Sequence, residues 1–212
     1  FVLLTGDYVH HAIWATTVQD NQAHNSRVGS MLNNLFNTTR VFPVVGNHEP
    51  HPCNMYAPRS VWDEEDFDLS WMFNQIGDLY ANHLPKEAVD SFRNFGFYHV
   101  SPAPGFRVVV LNTNLCYTLN FWLYYNMVDP EDQLQWFADV MLEAEKAGEM
   151  VYVVGHIPPG HYQCWSPWAA RFDKIINRFE SIIQAQFYGH THEDDLKIFF
   201  EGTGNASRPT SS

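Results

Sequence analysis

Residues 151–156 (VYVVGH) decide the predicted fold, because a short apolar run ends there at a glycine and gives way to a histidine. The same form, an apolar run followed by glycine and then by Asp, Asn or His, recurs in residues 1–11, 41–49 and 185–192. Such runs are typical of buried parallel strands that end in tight turns. Because ligands bind at the carboxyl ends of strands in open α/β sheets, we predict one sheet that gathers these polar residues at one edge.

The composition limits both the domain organisation and the classes of partner. The chain has 212 residues, of which 45% are hydrophobic, and this is enough for one substantial core. We therefore predict one α/β domain over residues 1–200, followed by a polar tail over residues 201–212. The net charge of −12 disfavours binding to the phosphate backbone of nucleic acids, and no apolar run is long enough to predict a transmembrane segment.

Helical and strand patterns alternate along the chain, and this alternation predicts the α/β class. Apolar residues at helical spacing predict helices, whereas short β-branched and aromatic runs bounded by proline and glycine predict strands. The predicted elements beside the four strands above are a helix between residues 18 and 36, a helix within residues 61–84, a hairpin of residues 97–100 and 106–111, helices over residues 129–147 and 168–184, and a strand over residues 195–200.

Candidate metal ligands occur at the ends of the predicted strands. Asp7 has two carboxylate oxygens that can each bind a cation, although a turn or a helix cap is the alternative role for an aspartate at this position. Asn47 offers an amide oxygen and His48 an imidazole. His190 and His192 lie on either side of Thr191. We predict that this segment is extended, so that both imidazole rings would point to the same face.

His156, taken alone, is typical of a buried and hydrogen-bonded histidine, but beside the other three junctions it predicts a two-metal hydrolytic site. Together the junctions resemble the calcineurin-like metallophosphoesterase superfamily, whose members hydrolyse phosphate esters. The motifs that carry the resemblance are Gly6-Asp7, residues 46–49 (GNHE), Gly155-His156 and residues 189–192 (GHTH), in the family's order. The resemblance implies a layered α/β sandwich of the metallophosphoesterase type, incomplete at both ends of this chain.

A closer resemblance is to the acid sphingomyelinase family, over about residues 2–200. It is carried by residues 120–122 (NFW), 129–136 (DPEDQLQW), 155–161 (GHIPPGH) and 186–192 (QFYGHTH). The family implies hydrolysis of sphingomyelin to ceramide and phosphocholine, with a sphingolipid substrate presented at a membrane or lipoprotein surface. The sphingomyelinase-like nucleotide phosphodiesterases are the alternative family. A second alternative is a protein without enzymatic activity, a truncated product that binds metal but does not catalyse a reaction.

The resemblance also implies the roles of the site residues. Two zinc ions would be bridged by Asp7, with Asn47, His156 and His190 completing the protein ligands of one ion and His192 joining Asp7 on the other. That other ion also needs the family's Asp-x-His motif, which belongs upstream of residue 1. We therefore expect the chain to be a piece of a longer protein, and to be inactive or nearly so without that motif.

Two histidines are candidates for the proton donor to the leaving alkoxide. His48 follows a predicted ligand directly without being one, so we assign it as the general acid, and His11 is the second candidate. An acidic working pH would favour a protonated imidazole in this role.

The resemblance implies a disulfide between the region of Cys116 and the region of Cys164, although the family's second cysteine falls at the position of Tyr162. We predict a Cys116–Cys164 bond, which leaves Cys53 free or paired outside this chain. Two N-glycosylation sequons begin at Asn37 and Asn205, and they add a hint of passage through the secretory pathway. We expect a secreted or lysosomal glycoprotein.

Overall fold

The computed structural model describes residues 1–201 and 208–211. Helices and strands alternate along most of this length, as expected for an α/β protein. In chain order the elements are β1 (Val2–Leu4), α1 (Val18–Leu35), β2 (Val41–Pro43), α2 (Ser70–Leu79), α3 (Lys86–Phe95), β3 (Tyr98–Ala103), β4 (Phe106–Val110), α4 (Gln133–Ala147), β5 (Met150–Val154), α5 (Ser166–Arg178), β6 (Ile183–Phe187), β7 (Phe199–Glu201) and β8 (Arg208–Ser211). No described helix is long and apolar enough to cross a membrane.

The strands form separate sheets, so the prediction of one sheet holding all four junctions is wrong. β1 and β2 pair in parallel with each other, while β3, β4, β5 and β6 form a second sheet in that order. Within the second sheet β4, β5 and β6 are parallel, and β3 is antiparallel to β4 as the predicted hairpin requires. Apolar runs identify buried strands without specifying which strands are neighbours, and this is why the sequence pattern did not separate the two sheets.

Both faces of the four-stranded sheet are covered, and this explains the continuous apolar runs of its central strands. Along β4, Val108 and Val110 pack into a core cluster with residues of β2, α2 and α3. Val109, between them, packs into a second cluster with residues of α4 and α5. This layered α/β arrangement confirms the predicted fold class.

Helix α1 forms where predicted, but its predicted apolar face is only partly buried: Leu32 and Phe36 pack against the core. Met31 and Leu35 are 62% and 70% exposed, whereas Asn21, Asn25 and Gly29 are the buried residues. The buried side-chain amide of Asn21 is satisfied by hydrogen bonds, which it donates to the carbonyl oxygens of residues 48, 49 and 50 at 3.3, 3.2 and 3.2 Å. The polar face of α1 therefore supports the turn that follows β2.

Several boundaries differ from the predicted ones. The predicted helix within residues 61–84 is α2 alone, which begins after Asp68 accepts a hydrogen bond from the Ser70 amide at 2.7 Å. Helix α3 was not predicted; it follows Pro85 and ends at Gly96, whose φ of 79° stops the helix. The predicted helix of residues 168–184 ends at Arg178, and the predicted strand of residues 195–200 is β7, which pairs with β8.

The disulfide that the resemblance implied is present between Cys116 and Cys164, 48 residues apart in sequence. Both cysteines are buried, and the bond joins the segment after β4 to the loop after β5. Cys53 is free, and its thiol donates to the Asn47 carbonyl oxygen at 3.2 Å.

Removing this disulfide is expected to cost about 4 kcal/mol of unfolding free energy, because the bond restricts the unfolded chain over a long loop. The test is urea unfolding of the Cys116→Ser/Cys164→Ser double variant beside the oxidised wild type. Cys53→Ser is the control, since it removes a thiol that forms no disulfide and keeps a hydrogen-bond donor. Equal stability of the double variant and the wild type would contradict the expectation.

Candidate metal centre

Two glycine turns bring the ends of β1 and β2 into contact. Gly6 has a φ of +93°, and a Cβ atom placed on it would lie 2.6 Å from the Gly46 nitrogen. A Cβ atom on Gly46 would lie 2.2 Å from the Asp7 carboxylate. Only glycine fits at these two positions, and the close approach places Asp7 beside Asn47.

Glu49 accepts hydrogen bonds from both turns and so connects them. The sequence alone indicated no role for this residue. Its side chain is fully buried and accepts hydrogen bonds from the backbone amides of Asp7 at 3.1 Å, Tyr8 at 2.6 Å and Gly46. Burial, together with the nearby charge of Asp7, raises the pKa of Glu49 to about 7. The only signal in the sequence was an acidic residue inside a turn that follows a buried strand.

Four donor atoms from different strand ends converge on one point. The Nε2 atom of His156 lies 3.3 Å from Asp7 Oδ2 and 3.0 Å from Asn47 Oδ1. The Nδ1 atom of His190 lies 3.0 Å from the same Asn47 oxygen and 3.2 Å from His156 Nε2. Ligands of a tetrahedral zinc ion with bonds of about 2.0–2.1 Å are separated by about 3.3 Å, so these spacings fit a small divalent cation.

Hydrogen bonds on the far side of each donor direct its lone pair toward that point. His156 Nδ1 donates to the Thr5 carbonyl oxygen at 2.6 Å, and His190 Nε2 donates to Gln163 Oε1 at 3.0 Å. The Asn47 side-chain amide donates to Asn54 Oδ1 at 3.0 Å, so its oxygen faces the two imidazoles. Metal-binding histidines in proteins are oriented in this way.

The electrostatics of the cluster favour a positive charge at its centre. Burial raises the pKa of Asp7, but the opposing effects of His156 and His48 are together larger, so the pKa of Asp7 lies below its ordinary value. Burial lowers the pKa of His156, yet the hydrogen bond and the charge of Asp7 leave it above the ordinary value. Burial and the neighbouring His156 hold the pKa of His190 at about 4, so this ring is neutral and can act as a ligand.

Three further histidines form a row beside Asp7. His48 is buried, its Nδ1 donates to the carbonyl oxygens of Val9 and His10 at 3.2 and 3.3 Å, and its Nε2 lies 3.9 Å from Asp7 Oδ2. The ring centroid of His11 lies 4.3 Å from that of His48 and 4.8 Å from that of His192.

His190 and His192 do not flank Thr191 in extended chain, so that interpretation of their spacing is wrong. β6 ends at Phe187, and both histidines have left-handed backbones, with φ of 72° and 57°. His190 consequently joins the four-donor cluster, whereas His192 Nε2 lies 3.3 Å from His11 Nε2. Both still line one open cavity of about 390 Å³ with Asp7 and His156.

The family follows from this site and fold. The model of the calcineurin-like phosphoesterase family matches residues 1–194, which include all of the candidate ligands. The chain belongs to the calcineurin-like phosphoesterase family.

Individual relatives agree with this assignment. Sphingomyelin phosphodiesterase 1 of Caenorhabditis elegans is 36% identical over 97% of this chain and 36% of that protein, and sphingomyelin phosphodiesterase of Homo sapiens is 38% identical over 94% of this chain and 31% of that protein. The chain therefore spans about a third of the length of these curated relatives. A crystal structure of a dimetal phosphatase from Danio rerio shares the fold, with a TM-score of 0.59 at 17% identity over 90% of this chain and 66% of that one.

Proposed function

We propose that this chain is the metal-binding part of a phosphodiesterase that hydrolyses sphingomyelin to ceramide and phosphocholine. The observation that carries the proposal is the convergence of the Asp7, Asn47, His156 and His190 donor atoms, in which neighbouring atoms lie 3.0–3.3 Å apart. Two imidazole nitrogens and two oxygens suit zinc, and zinc is the ion that we propose. Asp7 and His192 would belong to a second zinc in the complete enzyme.

Different residues of this chain would bind the metal and transfer the proton in this reaction. A bound zinc ion supplies Lewis acidity, which polarises the phosphoryl group and activates water. His48 is held by two backbone carbonyl groups, so its Nε2 faces the Asp7 side of the site and can deliver a proton to the leaving alkoxide. His11 lies against His48 and is the second candidate for this proton transfer.

The lipid substrate is proposed from the names of the relatives and from one exposed segment. Residues 117–128 (YTLNFWLYYNMV), which we call the aromatic segment, contain no charged side chain. Phe121, Tyr124 and Tyr125 are 70%, 81% and 66% exposed in it. Exposed aromatic side chains of this kind are favoured at membrane interfaces. Tyr117, at the start of the segment, packs against the His190 ring at 5.1 Å, so a lipid surface that contacted the segment would lie next to the metal centre.

A secreted or lysosomal location is proposed as well. The Cys116–Cys164 disulfide is typical of oxidising compartments. Asn37, which begins the first glycosylation sequon, is exposed and accessible to modification. The second sequon, at Asn205, lies outside the described residues.

The test is an assay of the full reading frame that the transcript encodes, with sphingomyelin vesicles and a nucleotide phosphodiester as competing substrates. We expect release of phosphocholine at acidic pH, loss of turnover after chelation, and recovery when zinc is restored. Preference for the nucleotide substrate would move the protein to the alternative family, and turnover of neither substrate by zinc-loaded protein would favour the non-catalytic alternative. Turnover that survives complete metal removal would contradict the proposed mechanism.

A further inference from the structure

Gln163 lies between the disulfide and the metal centre. Its side-chain oxygen accepts the hydrogen bond from His190 Nε2 at 3.0 Å, and its neighbour in sequence is Cys164. An amide carbonyl oxygen can only accept, so this contact supports the tautomer with the imidazole hydrogen on Nε2, in competition with the tautomer in which Nδ1 donates to Asn47 Oδ1 at 3.0 Å. The Nε2 tautomer leaves the lone pair on Nδ1. Nδ1 is the atom that faces Asn47 and His156.

The orientation of Gln163 is itself determined by a small clamp, formed by residues 116–118 and 163–165. The Gln163 side-chain amide donates to the Tyr117 hydroxyl at 3.4 Å, and this contact directs its oxygen to His190. The Thr118 amide donates to the Gln163 carbonyl oxygen at 2.8 Å, and Tyr117 pairs with Cys164 in an isolated antiparallel bridge. The Trp165 amide donates to the Cys116 carbonyl oxygen at 2.6 Å, so the disulfide and the two backbone hydrogen bonds of this bridge hold the two segments together.

We propose that Gln163 is a positioning residue that holds His190 in its metal-binding tautomer and orientation, and that the Cys116–Cys164 disulfide keeps Gln163 in place. The proposal rests on the proposed metal-binding function of the cluster. Hydrogen-bond partners of metal-binding histidines change metal affinity by about 10–100-fold when they are removed. Gln163 is half-buried, so its replacement need not disrupt the core.

The first experiment measures zinc affinity by competition with a chromophoric chelator. Gln163→Leu removes the acceptor at nearly constant size, and we expect zinc binding to weaken at least about 10-fold. Gln163→Glu keeps an acceptor oxygen and should restore affinity to within about 3-fold of wild type. Gln184→Leu is the matched control, because Gln184 is exposed and hydrogen bonds to the Met150 sulfur at 3.6 Å, away from the site.

The second measurement is ¹⁵N NMR of the histidine side chains in zinc-free protein, which reports the tautomer without any contribution from activity. We expect His190 to carry its hydrogen on Nε2 in the wild type and in Gln163→Glu, and to exchange between tautomers or orientations in Gln163→Leu. Unchanged zinc affinity together with an unchanged His190 signal in Gln163→Leu would overturn the proposal. A wild type without measurable zinc affinity would instead count against the proposed function, while the NMR comparison would still decide the role of Gln163.

The contribution of the disulfide is tested with a double-mutant cycle. Cys116→Ser/Cys164→Ser should weaken zinc binding when Gln163 is present, and should add little to the loss already caused by Gln163→Leu. Near-ultraviolet circular dichroism would confirm that each variant is folded under the conditions of the titration. Losses that simply add would show that the disulfide acts on the site independently of Gln163.

Discussion

Replacing His190 by alanine is expected to abolish tight zinc binding. The wild-type chain should hold about one tightly bound zinc, since the described donors complete one ligand set. The variant keeps Asp7, Asn47 and His156 but loses one of the two imidazoles of that set. We expect an affinity loss greater than about 100-fold, beyond the range seen when only a hydrogen-bond partner of a ligand is removed. Elemental analysis and chelator competition on purified protein measure both quantities.

His24→Ala is the control for the His190 variant. His24 lies on α1, where its ring contacts the Asp20 carbonyl oxygen at 2.7 Å and packs edge-on against the His10 ring at 4.9 Å, and it contacts none of the four donor side chains. Wild-type affinity in His190→Ala would exclude this residue as a ligand. Absence of zinc from the wild type, or two equivalent zinc ions per chain, would contradict the ligand set as a whole.

Replacing His48 by alanine is expected to lower turnover by about 10²–10⁴-fold, the usual contribution of a general acid–base group. Zinc content should stay at the wild-type level, because His48 lies beside the proposed ligand Asn47 and contributes no donor to the four-atom cluster. The measurement is sphingomyelin turnover by the full reading frame, with zinc determined on the same samples. Asp7→Asn should behave differently and lose metal and turnover together.

His48→Gln distinguishes loss of the proton donor from loss of structure. Its side-chain amide can still donate to the carbonyl oxygens that His48 Nδ1 contacts, so it should fold like the wild type and remain inactive. A His11→Ala variant with a larger loss than His48→Ala would transfer the role of general acid to His11. Full turnover in His48→Ala would exclude His48 from proton transfer.

The two glycine turns could be predicted from the sequence because their chemistry is local. Gly6 and Gly46 each precede a predicted ligand, and the structure shows that neither position has room for a Cβ atom. The disulfide was implied by the resemblance rather than by spacing, and the structure confirms its pairing of Cys116 with Cys164.

The remaining parts of the site depend on contacts between residues distant in sequence. The different directions of the His190 and His192 rings result from left-handed backbones at both residues, which side-chain spacing does not reveal. Glu49 acquires its role from backbone amides 41 and 42 residues away, and Gln163 acquires its role from a ring 27 residues away. Such partners become neighbours only when β1 pairs with β2 and β5 pairs with β6, and the sequence pattern did not specify those pairings.

Anomalous diffraction from crystals grown with zinc, recorded on both sides of the zinc absorption edge, tests the central claim most directly. The claim is that the donor atoms of Asp7, Asn47, His156 and His190 hold one ion. We expect an anomalous peak about 2.0–2.2 Å from Asp7 Oδ2, Asn47 Oδ1, His156 Nε2 and His190 Nδ1. A zinc-replete crystal with no peak among these four atoms would contradict the claim.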